Sequence, residues 1–125
     1  MAQRVLIVED EANIAESLSF LLERDGFDVV TLSDGASAMD KLNALRPSAV
    51  VLDVMLPNRS GFDLLSDIRS SSDLAALPVL MLTAKGQARD RERAMELGAN
   101  AFVTKPFSNT DIVEKVRALV AGDQG

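Results

Sequence analysis

The chain has no cysteine and no histidine among its 125 residues. Without cysteine it can form no disulfide, thiolate nucleophile or cysteine-based zinc site. Without histidine it has no Ser-His-Asp or Cys-His relay and no imidazole ligand. Any phosphohistidine chemistry therefore needs a histidine from another protein. Long apolar runs are missing too, and none approaches the length that spans a bilayer. The opening "MAQRVLIVED" carries a four-residue apolar run and no cleavage-like segment, which argues against a secretory signal. The expectation is a soluble cytoplasmic protein with no membrane partner. Positive charge is also scarce: 13 Lys and Arg against 19 Asp and Glu give a net charge of −6. Phosphate contacts need clustered cations, so direct nucleic-acid binding by this segment is not expected.

What is present is enough for one domain over residues 1–125, with 122–125 as a tail or the start of a linker. The composition is 47% hydrophobic, which can supply a core. Short apolar runs recur about every 25 residues: "RVLIV" (4–8), "VVTL" (29–32), "AVVL" (49–52), "PVLML" (78–82) and "AFVT" (101–104). They are too short for helices and nearly continuous, as strands of a parallel sheet buried on both faces are. Helical periodicity fills the gaps. Ile14, Leu18, Leu21 and Leu22 share one face, as do Ile112, Val116, Leu119 and Val120, with weaker patterns over 35–46, 61–71 and 87–97. Glycines in "RDGFD", "LGANA" and "VAGDQ" sit where helices should stop, and Ser108 is placed to cap the last one. Five such units predict an α/β fold, a doubly wound parallel sheet with right-handed crossovers.

Ligands of open parallel sheets bind outside the carboxyl ends of the strands. There the sequence places Glu9 and Asp10, then Asp53, Thr83 and Lys105, while the second run offers only Ser33, as an edge strand would. Each residue has an ordinary reading: acids at a helix start, a turn residue, a strand threonine, a solvated lysine. Four polar positions at four strand ends make coincidence the poorer account. Three carboxylates together repel unless a cation joins them, and oxygen ligands alone suit Mg²⁺. A carboxylate beside Mg²⁺ and an ammonium is equipped to accept a phosphoryl group. Pro57 and Gly61 shape the loop after Asp53 to leave room for a ligand.

The acidic pair in "VLIVEDE", the block "LDVMLPNRSG", and then "MLTA" and "FVTKPF" follow one another at spacings that resemble the response-regulator receiver domain of two-component signalling. The resemblance covers essentially the whole chain and implies a flavodoxin-like five-stranded sheet of order 2-1-3-4-5 with five helices. It implies that Asp53 is the phosphoacceptor, loaded by a histidine kinase or phosphotransfer protein. Asp10 would hold Mg²⁺ directly, Glu9 through water, and Met55 through its backbone carbonyl. Lys105 and Thr83 would contact phosphoryl oxygens, with small Ala84 leaving access, and the bond before Pro106 would be cis. Thr83 and Phe102 would form the switch, on packing alone because Phe102 lacks the hydroxyl of the commoner tyrosine. Met55 and Lys85 would tune the phosphoryl lifetime, with Met55 favouring slow loss. The face of the fourth helix, fifth strand and fifth helix would signal to a downstream effector protein or a fused output domain. Such a domain catalyses only its own phosphorylation and dephosphorylation. Other classes fit less well. A nucleotide or flavin binder needs a phosphate loop where "VEDEAN" stands, and an aspartate-based phosphatase needs a second acid that "DVMLP" lacks. A phosphorylation-independent interaction module is the alternative to the switch. The methionines read as core filler, and "ARDRERAMELG" (88–98) as a solvated helix face. The winged-helix transcription-factor subfamily usually carries two acids where "GANAF" has Asn100 and Ala101, which puts that subfamily's dimer in doubt. The chain itself has no room for a DNA-binding domain, so it is read as a stand-alone regulator or part of a longer one.

Overall fold

Valine and leucine dominate the apolar runs, and each run becomes a strand whose successive side chains point to opposite sides of one sheet. The computed structural model describes residues 3–84 and 88–122. In chain order the elements are β1 (Arg4–Val8), α1 (Ala12–Arg24), β2 (Asp28–Leu32), α2 (Ala38–Leu45), β3 (Ala49–Asp53), α3 (Gly61–Ser70), β4 (Val79–Ala84), α4 (Ala88–Glu96), β5 (Ala101–Lys105) and α5 (Asn109–Val120). All strand pairs are parallel and their spatial order is β2-β1-β3-β4-β5, as expected.

The alternation splits the core in two. Leu6, Val8, Val50, Leu52 and Met81 pack on one side with Leu42 of α2, Leu64, Leu65 and Ile68 of α3 and Ala94 of α4. Val5, Ile7, Val51, Leu80, Leu82 and Val103 face the other way, onto Leu18 and Leu22 of α1 and Ile112, Val116 and Leu119 of α5. Burying each such side chain contributes about 1.5–3 kcal/mol. These two layers therefore hold the strand ends still. Strand β2 is only half covered, as its edge position requires.

Helix ends follow local chemistry. Ser60 and Ser108 accept hydrogen bonds from the Asp63 and Asp111 amides and cap α3 and α5. Gly26, Gly98 and Gly122 adopt the positive φ expected after α1, α4 and α5. Helix α2 begins at Ala38, not near 35, because Asp34 Oδ1 accepts the Ala36 amide and holds a turn there. Strand β4 runs to Ala84, two residues past the apolar run, so Thr83 lies within the strand near its carboxyl end. The methionines are not all filler: Met81 is buried, whereas Met55 is 75% exposed and Met95 is also exposed.

At the rim formed by the strand starts, Arg69 of α3 is bonded into the chain from three directions. Its guanidinium donates to the carbonyls of Gly98, Ala75 and Leu77 and to Asn100 Oδ1, at 2.7–3.1 Å. Asn100 Oδ1 also accepts the Val79 amide at 2.8 Å. Arg69→Met would keep much of the stem but strand these acceptors. It is expected to lower stability by about 2–4 kcal/mol, read as a lower urea midpoint; an unchanged midpoint would show that water replaces the guanidinium.

Candidate functional site

The strand ends at the opposite rim gather the polar residues. Asp53 closes β3, Lys105 closes β5, and Glu9 and Asp10 follow β1 directly. Register pairs Asp53, the last residue of β3, with Leu82, while β4 and β5 run on together to the pair Ala84 and Lys105, so Thr83 and Lys105 stand just beyond the end of β3. Glu9, Asp53 and Thr83 are almost fully buried, at 1%, 3% and 1% exposure. Asp10 is exposed. The carboxylates of Glu9, Asp10 and Asp53 each bring an oxygen within 4.8 Å of the others.

Lys105 stands between two of these acids. Its Nζ lies 2.7 Å from Glu9 Oε1 and 2.9 Å from Asp53 Oδ2, with Glu11 Oε1 at 3.5 Å. Asp53 Oδ1 accepts the Met55 amide at 3.1 Å, and Glu9 Oε2 accepts the Glu11 amide at 3.1 Å. Glu9 therefore also serves as the acid at the start of α1, its ordinary reading, while its other oxygen meets the lysine. The Lys105–Pro106 peptide is cis.

Charge at this rim does not balance. The three clustered carboxylates of Glu9, Asp10 and Asp53 against one ammonium leave an excess of two negative charges if all ionise, before the exposed Glu11 is counted. The Glu9 carboxyl shows the strain: burial first, and then the nearby Asp53, raise its pKa from 4.5 to about 7 against the lowering effect of Lys105 and the Glu11 amide. Burial alone would lower the Lys105 pKa, but its bonds to Glu9 and Asp53 outweigh that and raise it. An all-oxygen cluster with two surplus charges fits a divalent hard cation, and the donor set suits Mg²⁺ better than a softer metal.

The Thr83 hydroxyl is buried, and Oγ1 has no hydrogen-bond partner among the described residues. A buried polar group left unpaired costs free energy, so it is a ready donor to any oxygen that enters the site. Phe102, two register positions back and opposite Met81, is partly buried and covered by Arg91, whose Cζ lies 4.3 Å from the ring centre. An open groove of about 470 Å³ runs beside it, lined by residues that include Arg91, Met95, Phe102 and Lys115. A second groove, of about 520 Å³, adjoins Lys105 and is walled by Ile14, Pro106 and Phe107.

The fold thus assembles Glu9, Asp10, Asp53, Thr83 and Lys105 at one rim, with Met55 at its edge. Lys85 lies outside the described residues. Sequence reasoning missed Glu11, whose signal was only a third acid in "EDE", and Arg91, which the mixed charge of "ARDRERAMELG" concealed.

The family model described as "Response regulator receiver domain" matches residues 5–117. The chain is 42% identical over 120 residues to the phosphate regulon transcriptional regulatory protein PhoB of Escherichia coli, covering 96% of this chain and 52% of that protein. It spans about half the length of the relatives it matches in sequence. Among solved structures, the signal receiver domain of a signal transduction histidine kinase from Syntrophus aciditrophicus superposes with a TM-score of 0.90 at 34% identity, covering 97% of this chain and 92% of that one. The receiver domain of sensor histidine kinase PA1611 from Pseudomonas aeruginosa, solved with a magnesium ion coordinated in its active-site cleft, gives 0.88 at 26% identity, over 97% of this chain and 99% of that one.

Proposed function

The chain belongs to the response regulator receiver domain family, and from that premise we propose that it is a phosphorylation-driven switch with Asp53 as the acceptor. The observation that carries the reading is the Lys105 ammonium held between Glu9 and Asp53 at a buried, acid-rich strand end. A carboxylate oxygen of Asp53 attacks phosphorus; the bond to the donor's leaving group breaks, and an acyl phosphate forms. The leaving group is the imidazole nitrogen of a histidine kinase or phosphotransfer protein, or the acetate of acetyl phosphate. Lys105 is already within bonding distance of the acceptor carboxylate and neutralises charge arriving with the phosphoryl oxygens. The unpartnered Thr83 hydroxyl donates to one of them.

Asp10, Asp53, Glu9 through water, and the Met55 carbonyl would hold Mg²⁺. The ion would supply charge neutralisation at the transferring group. The chain's own excess of acid supports this reading, as does the magnesium seen in the PA1611 receiver. Phosphorylation adds nearly two negative charges at Asp53. Drawing Thr83 toward them changes the packing behind Phe102, and the α4-β5-α5 face, where Arg91 covers that ring, carries the change to an effector or output region. The groove beside Lys105 is the natural seat for the phosphodonor.

The test is labelling by radioactive acetyl phosphate with and without Mg²⁺, followed by mapping of the labelled peptide. Mg²⁺-dependent label confined to the peptide holding Asp53 is the expected result. A chain that takes no label would leave the phosphorylation-independent interaction module as the better account.

A further inference from the structure

We propose that Gly35 is a positioning residue for the metal site, acting through the segment that links β3 to α3; this rests on the phosphoacceptor reading above. Gly35 is buried in the turn before α2. A Cβ built there would lie 2.3 Å from the Arg59 carbonyl oxygen and 2.9 Å from Arg59 Cβ. The Gly35 amide donates to the Pro57 carbonyl at 3.2 Å, and the same carbonyl accepts the Arg59 amide at 2.8 Å. The bare backbone of one loop is therefore seated on the backbone of the other.

The segment it touches is short and held at its ends. Val54 N donates to Leu82 O and Gly61 N to Val54 O, each at 3.0 Å, and Met55 N is bonded to the Asp53 carboxylate. Arg59 is anchored beyond the contact by its guanidinium on Asp67 Oδ2 at 2.6 and 2.8 Å. A side chain at 35 would have to push the Arg59 carbonyl from 2.3 Å to beyond 3.0 Å even for a tight contact. With both ends pinned, a shift of that size must be absorbed by the dihedrals between them, and the Met55 carbonyl is two residues from Pro57. Mg²⁺ demands near-ideal octahedral geometry, so moving one donor weakens the site even when every ligand remains.

The decisive comparison is Gly35→Ala against wild type, with Mg²⁺ titrated calorimetrically into the metal-free chain. The expected result is a dissociation constant raised about tenfold, the usual scale for losing a supporting contact behind metal ligands. Amide shifts should be confined to 33–37 and 54–61. Mg²⁺ affinity equal to wild type, even with a lower melting temperature, would make Gly35 a packing residue only and overturn the inference. Should Gly35→Ala fail to fold, Asp34→Ala loosens the same turn from its exposed side by removing the bond to the Ala36 amide; weaker Mg²⁺ binding supports the inference and unchanged binding defeats it. A wild-type chain that binds no Mg²⁺ is a separate outcome, which overturns the phosphoacceptor reading and takes this inference with it.

Discussion

Asparagine in place of Asp53 is expected to reduce acetyl phosphate labelling to background while leaving the fold intact. The carboxamide matches the carboxylate in size, so the buried space is filled as before, but it offers no anionic oxygen to attack phosphorus. Lys105 keeps its partner Glu9 at 2.7 Å, so the substitution strands no cation. Mg²⁺ affinity should fall as well, since one of three clustered acids has lost its charge. A second readout follows from Glu9. Asp53 is among the groups that raise its pKa, so neutralising position 53 should bring the Glu9 titration down from about 7 toward 4.5. Label retained by Asp53→Asn, at Glu9 or elsewhere, would assign the acceptor role to another carboxylate.

Stability of the metal-free chain is expected to fall as pH rises from about 4.5 to above 7, which is opposite to the usual effect of a salt-bridged acid. The Glu9 carboxyl has a folded pKa of about 7 against an ordinary 4.5. Between those values the folded form keeps a proton that the unfolded chain has released, so stability declines across the window. The full cost, reached above pH 7, is roughly 3 kcal/mol. The lowered pKa of Asp25, set by its bond to Arg117, acts only at pH below 3.8 and does not obscure the effect. Urea unfolding in EDTA at pH 5.5 and pH 8 would measure it. Glu9→Gln should flatten the profile, and excess Mg²⁺ should restore the wild type at pH 8. Parallel profiles for wild type and Glu9→Gln would show that Glu9 ionises without strain.

Much of this was legible because parallel sheets impose a simple rule. Apolar runs of four or five residues, spaced by helical patterns, fit strands of one parallel sheet, and the carboxyl ends of such strands meet at one rim. That brought Asp53, Thr83 and Lys105 together before any coordinate did. The limits were set by what neighbouring letters share. Glu9 and Asp10 are adjacent acids in the sequence, yet one is buried against Lys105 and the other faces water. Met55 and Met81 look alike as apolar letters, but one sits on a loop and the other in mid-strand. The approach of Gly35 to Arg59 joins positions 24 residues apart through backbone contact, and nothing in periodicity reports it. Arg69 carried no signal in the sequence, because most of its acceptors are main-chain carbonyls, which every residue possesses.

The bonds of Arg69 give the two margins of the sheet different mechanical characters. One is a stitched hem, where a single guanidinium fastens the end of α3, the approach to β4 and the turn leaving α4. The other is an open clasp of charge around Lys105. Because the hem is fixed, the C-terminal end of α4 is tied through Gly98 and Asn100 to α3 and the start of β4, while Arg91 nearer its other end rests on the Phe102 ring.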